Sequence, residues 1–162
     1  MARLDFPDRP PRLALIFQKY RSPVFFVTFC TYRRRPILAS AKIHSNFETF
    51  CQRGLAHNVV VGRYVIMPDH VHLFVCGGPD FRLGGWIKLL KQSLGKALKG
   101  DGSPACLGSR IWQEGFFDHL LRNDESMGQK WDYVFQNPVR AGLVSAAEAW
   151  PYQGEIARID RA

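Results

Sequence analysis

The sequence predicts an α+β fold: a ferredoxin-like antiparallel sheet with helices on one face and an additional C-terminal helix. Three observations carry this expectation. The 162 residues amount to one domain. The hydrophobic fraction, 46%, is ordinary for a globular protein and excludes wholesale disorder or a fibrous repeat. Runs of β-branched and aromatic residues alternate with stretches of helical period in the order β-α-β-β-α-β-α.

Residues 1–22 hold three prolines and scattered charges and read as a loosely held arm. Val24 to Thr31 is dense in β-branched and aromatic side chains, which marks a strand, and Arg33-Arg34-Arg35-Pro36 follows as a basic loop. Ser40 is placed to cap a helix running to about His57, with Ile43, Phe47, Phe50, Cys51 and Leu55 as its apolar stripe. Val59–Ile66 and His70–Val75 are strands, and Met67-Pro68-Asp69 is short enough to join them as a hairpin. A Gly/Pro break at 77–79 leads into a helix from about Phe81 to Lys99. Trp86, Ile87, Leu90, Leu94, Ala97 and Leu98 occupy one arc of it, and Lys88, Lys91, Lys96 and Lys99 the opposite arc. After a loop at 100–109, Ile111-Trp112 and Phe116–Leu121 are extended. A last helix spans about Asp124 to Gln136, stopped by Asn137-Pro138 because a residue before proline disfavours the helical region. The folded domain is expected at 23–150, with 151–162 as a short tail.

Lys and Arg number 22 against 14 Asp and Glu, a net charge of +8, and the pI is near 9.6. Such an excess suits a polyanionic partner, most simply nucleic acid, although solubility alone also accounts for it. The longest apolar stretch, Val24 to Cys30, is broken by Thr28 and is far short of the roughly 20 residues a membrane helix needs. The first eight residues mix acids and prolines where a signal peptide needs a basic start and an apolar run, so a cytoplasmic protein with no membrane partner is expected. Cys30, Cys51, Cys76 and Cys106 are too widely spaced for a zinc knuckle or a CxxC pair and read as reduced thiols.

Two of the five histidines stand two residues apart, in His70-Val71-His72. On a strand both imidazoles project from one face while Val71, Leu73 and Val75 project from the other. Two imidazoles side by side form half a site for a divalent cation. The spacing alone is weak, and two incidental surface histidines are the commoner arrangement. On the last helix Met127, Trp131, Val134 and Phe135 form the apolar side. Ser126, Gln129, Lys130, Tyr133 and Asn137 form the other, with Asn137 one turn beyond Tyr133. That polar face is an ordinary amphipathic surface unless it covers the histidines. Tyr32, Tyr64 and Tyr152 sit in strand-edge or tail contexts.

Four ordered motifs make the sequence familiar: Phe26-Val27-Thr28-Phe29-Cys30-Thr31-Tyr32-Arg33, Tyr64 to Leu73 with Met67-Pro68-Asp69-His70-Val71-His72, Trp112 to His119, and Trp131 to Val144 with Asn137-Pro138-Val139-Arg140. Over about residues 20–150 the chain resembles the REP-associated tyrosine transposases, a branch of the single-tyrosine HUH transposases of bacterial insertion sequences. The resemblance implies a transposase that nicks and rejoins single-stranded or hairpin DNA of REP-like palindromic type through a 5′-phosphotyrosine link. It further implies His70 and His72 as ligands of Mg²⁺ or Mn²⁺, Asn137 as a further polar ligand, and Tyr133 as the nucleophile, in a monomer or homodimer.

That chemistry asks for a deprotonated phenol, polarised phosphate oxygens and a stabilised leaving 3′-oxygen. A divalent cation on two neutral imidazoles serves the last two needs. Lys130, one turn before Tyr133, adds positive charge or is a solvated helix lysine. His119 supports the site or is a structural histidine. Arg33, Arg34, Arg35 and the Lys88/Lys91/Lys96/Lys99 face are the expected phosphate contacts. Two other functions stay open: a nucleic-acid-binding module that keeps the fold without cleaving, and a nuclease using activated water. The latter wants a carboxylate cluster, and Asp69, Asp118 and Asp132 show no paired spacing.

Overall fold

The computed structural model describes residues 23–100, 110–121 and 124–159, with the side chains of 124 and 125 set aside. The expected N-terminal arm, the 100–109 loop apart from its first residue, Cys106 and the last three residues of the tail lie outside the described residues.

Five antiparallel strands form one sheet in the order β4-β1-β3-β2-β5: β1 Val24–Cys30, β2 Val59–Ile66, β3 His70–Gly77, β4 Phe117–Leu121 and β5 Gln153–Glu155. Helices α1 (Ala41–Gly54) and α2 (Leu83–Gly100) cover one face. Ile43, Phe47, Cys51, Ile87, Leu90 and Leu94 pack there against Phe25, Val27, Phe29, Val71, Leu73 and Val75. Alternate residues of the same strands face the other way. Val24, Phe26, Phe74, Cys76 and Leu121 form a second, smaller core under helix α3 (Asp124–Phe135), which contributes Val134 with Met127 and Trp131 beside it. The extra helix is thus docked on the sheet face opposite α1 and α2, by the stripe expected from its sequence. The overall class is the one the element order predicts.

Boundaries differ in instructive ways. Ser40 caps α1 as expected, its hydroxyl accepting from the Ile43 amide at 3.3 Å. The α-helix ends at Gly54, and residues Leu55–His57 continue as a tighter 3₁₀ turn closed by Asn58 in the left-handed region. Chain beyond Gln136 does not leave the helical region altogether: a four-residue helix α4, Asn137–Arg140, restarts with its proline in the first turn, where proline's missing N–H costs no bond. The expected tail carries β5, which pairs with β2 (Arg63↔Glu155, Val65↔Gln153) and caps that edge of the sheet.

Tyr64 is not an edge residue. It is 1% exposed, and its hydroxyl donates to Glu48 Oε1 at 3.0 Å while lying 2.7 Å from His44 Nε2. Gly154 of β5 passes so close that a Cβ there would sit 2.9 Å from the Tyr64 hydroxyl. No helix among the described residues is long and apolar enough to cross a membrane. Cys30, Cys51 and Cys76 form no disulfide among the described residues.

Candidate active site around the histidine pair

The register of the sheet sets the histidines in place. β1 pairs with β3 so that Thr28 lies opposite His72 and Cys30 opposite His70. Directly opposed residues on antiparallel strands share a face. Thr28 Oγ1 accordingly lies 2.7 Å from His72 Nδ1. His70 Nδ1 is held by the preceding residue, 2.6 Å from Asp69 Oδ1. Both Nδ1 atoms are thereby engaged, which leaves both Nε2 atoms as the ones able to meet a cation. The two rings stand nearly perpendicular with centroids 4.7 Å apart, and the His72 ring stacks on Phe26 at 5.5 Å.

Burial holds the imidazoles neutral. Desolvation lowers the His70 pKa despite its bond to Asp69, with the Arg34 charge adding to the shift. His72 is pushed down to about 3, chiefly by burial and then by the charges of His70, Arg34 and Arg140. Neutral imidazole is the form that ligates metal. Among the described residues no group of three or more His, Cys, Asp or Glu side chains converges to hold a metal ion. Two imidazole nitrogens therefore fit a cation that leaves several coordination positions open to phosphate oxygens and water.

Arg34 is tied into this end of the sheet. Its Nε lies 2.8 Å from Asp69 Oδ2, Nη1 donates to Cys30 Sγ at 2.8 Å, and Nη2 is 3.3 Å from His70 Nδ1. The backbone that presents it is unusual: Arg33 and Arg34 both have left-handed conformations, φ 56° and 55°. Such residues cost on the order of 1–3 kcal/mol each unless their surroundings hold them. Buried Thr31 does so, donating from its hydroxyl to the carbonyls of Arg35 (2.8 Å) and Asp69 (3.2 Å).

Tyr133 projects from the polar side of α3 and is 66% exposed. Its ring lies under the guanidinium of Arg140, 4.0 Å from centroid to Cζ. The same guanidinium donates to the Tyr133 carbonyl and to Asn137 Oδ1. Arg140 therefore joins nucleophile candidate and ligand candidate in one cluster, and its charge reaches His72. An amide oxygen has two lone pairs, so Asn137 can accept from Arg140 and still turn a lone pair to a cation. Lys130 lies with its ammonium 5.4 Å from the Phe26 ring, on the histidine face of the sheet. His119 is exposed on β4, opposite Phe26 and on the same face.

The other predicted contacts divide. Arg35 bonds the Arg110 carbonyl, and Arg33 and Arg110 flank the Tyr32 ring at 5.3 and 5.2 Å. Lys88, Lys96 and Lys99 are exposed along α2, on the other side of the sheet from the histidines. Lys91 is half-buried, with its ammonium donating to the carbonyls of Gln113 (3.1 Å) and Gly115, and burial lowers its pKa. A groove of about 590 Å³ lined by Lys91, Lys96, Lys99, Arg110 and Trp112 begins where residues 111–113 bond Cys30 and Tyr32.

Sequence reasoning missed Thr28, Arg110 and Arg140. Arg140 had a signal, since it stands three residues after Asn137 and seven after Tyr133, one helical face. Thr28 and Arg110 had none, because only the strand register and the return of a distant loop bring them in.

Residues 18–136 match the family model described as "Transposase IS200 like". Over 94 residues the chain is 32% identical to a REP-associated tyrosine transposase assigned in Haemophilus influenzae, covering 54% of this chain and 53% of that protein. It is 29% identical over 94 residues to the REP-associated tyrosine transposase of Escherichia coli, covering 57% and 52%. The matched region thus spans about half the length of these relatives. Among solved structures, a REP-associated tyrosine transposase bound to a REP hairpin superposes with a TM-score of 0.65 at 22% identity, over 81% of this chain and 75% of the other. A transposase from Deinococcus radiodurans superposes at 0.51 with 15% identity, over 70% and 88%. At these identities the structures speak for the fold. The family model, which covers well over half of the residues, shows that the chain belongs to the IS200-like transposase family.

Proposed function

We propose that this protein nicks and rejoins single-stranded or hairpin DNA through Tyr133, with Mg²⁺ or Mn²⁺ held by His70, His72 and Asn137. The observation that carries the reading is the paired anchoring of the two histidines. Asp69 and Thr28 engage both Nδ1 atoms and leave two neutral Nε2 donors on one sheet face. When bound, the cation polarises the phosphate and offsets charge on the leaving oxygen.

The chain's own residues do the rest. Tyr133 Oη forms the new bond to phosphorus as the bond to the 3′-oxygen breaks. The phenol gives up its proton as the bond forms and the leaving 3′-oxygen takes one up, giving a 5′-phosphotyrosine and a free 3′-hydroxyl. The link keeps the energy of a phosphodiester, so the reverse attack rejoins strands without a nucleotide cofactor. Arg140 holds the phenol ring and places a guanidinium where it can bond a phosphate oxygen. Arg34 fixes Asp69, and through it His70. DNA of the kind named for the solved relative, a REP hairpin, is the substrate class we assign. The cationic surface from Arg33 and Arg110 to Lys96 and Lys99 is its phosphate track.

The test is a labelled hairpin oligonucleotide with single-stranded flanks, incubated with Mn²⁺ and run on a denaturing gel. A covalent adduct on the 5′ end is expected. Tyr133→Phe keeps the ring and should bind DNA while forming no adduct, and Tyr152→Phe should form it normally. An adduct that survives Tyr133→Phe places the nucleophile elsewhere and ends this mechanism.

A further inference from the structure

One row of the sheet runs Phe117, Thr28, His72 across β4, β1 and β3, and the next runs His119, Phe26, Phe74. Opposed residues share a face, and the short contact from Thr28 Oγ1 to His72 Nδ1 fixes which face this is. Phe117 and His119 therefore emerge beside the histidine pair, on the outermost strand. Two strand spacings, roughly 10 Å, separate Phe117 from His72.

Phe117 is 49% exposed, and among the described residues it and Tyr133 are the two large aromatics that are this open. Phe117 shares the sheet row of His72, and Tyr133 lies against Arg140, whose charge reaches His72. Among the described residues Phe117 belongs to neither core that packs on this sheet, so its ring face is open to a partner. Between them the strip is cationic as well as aromatic, with Lys130 over the Phe26 ring. Flat rings on a strand face, a neighbouring ammonium and an open sheet edge are what a single strand of nucleic acid uses: bases stack on the rings while the backbone follows the charge. A duplex hides its base faces and cannot use such a strip.

We propose that Phe117 and His119 form a stacking subsite for an unpaired nucleobase of DNA next to the phosphate attacked by Tyr133. The subsite rests on the DNA-cleavage reading above and adds to it a place for the strand that flanks the hairpin.

The experiment uses hairpins with and without single-stranded flanks, the flanks carrying 2-aminopurine at successive positions. With the unsubstituted protein, fluorescence should change at one or two flank positions near the cleaved bond. Phe117→Ala should abolish that change and weaken binding of the flanked hairpin about five- to a hundredfold. It should leave the bare hairpin bound as before. Phe117→Trp should restore both signals, and His119→Ala should give a smaller loss of the same kind. The subsite is overturned if Phe117→Ala binds and cleaves flanked DNA like the unsubstituted protein with the fluorescence response intact. Should the unsubstituted protein bind neither DNA, the cleavage reading and the subsite fall together.

Discussion

A histidine presents a chosen nitrogen to a cation only when its other nitrogen is held, and here two different residues do the holding. Thr28→Val removes a hydroxyl from His72 Nδ1 with little change of shape. Loss of such an outer partner typically costs 10- to 100-fold in metal affinity. Calorimetric titration with Mn²⁺ should show a loss of about that size, and an unchanged titration would deny Thr28 the role. Arg140→Ala should slow adduct formation at saturating Mn²⁺ and DNA by at least about tenfold, because a guanidinium able to stabilise phosphate charge is lost, and an unchanged rate would deny it that role. At this scale the sequence was half legible. The shared face of His70 and His72 follows from the period of a strand, and the outward Tyr133 from that of a helix. Asp69 is adjacent in sequence to its partner. Thr28 lies 44 residues from His72, and no local pattern announces a pairing register.

At the scale of elements, α1 rests on a cap that the sequence announced. Ser40→Ala should lower unfolding free energy by about 1 kcal/mol in a denaturant titration, since the Ile43 amide loses its acceptor. The Tyr64 network joins α1 to β2 and β5 and gives a pH signature. Burial first, then the Glu48 carboxylate, raise the Tyr64 pKa above its ordinary value of about 10. A raised acid favours the folded state while it remains protonated, so its contribution is complete below pH about 10 and is lost as pH rises further. Stability should therefore fall above that pH, and Tyr64→Phe, less stable at neutral pH, should fall less steeply. Helices and long strands were readable because each shows many turns of one period. β5 was not: Gln153-Gly154-Glu155 is too short to carry a period, and its place is fixed by the Tyr64 surface that Gly154 fits against.

Across the whole molecule, positive charge lies on both sides of the sheet: Arg34, Lys130 and Arg140 near the histidine pair, the α2 lysines on the opposite side. The lysines of α2 look away from the histidine pair, and Arg110 with the Tyr32 turn bridges the two sides. Replacing Lys88, Lys96 and Lys99 with Gln should flatten the logarithmic salt dependence of DNA binding by about 0.7–0.9 per lost phosphate contact. A slope untouched by all three changes would put the DNA elsewhere. Lys91→Gln should act differently, loosening residues 113–115, whose carbonyls its ammonium holds, and lowering the melting temperature. The net charge announced a polyanion, but which lysine serves the fold and which the ligand depends on a loop that returns from 22 to 24 residues away. Strand β3 shows how separable those demands are. Val71, Leu73 and Val75 are fully buried in the main core, while His70 and His72, alternating with them, face the other way. Two messages are interleaved letter by letter in one strand, one spelling the fold and the other the chemistry. Mutation can erase the second and leave the first intact, so substitutions at His70 and His72 are expected to spare the fold that Val71, Leu73 and Val75 hold together.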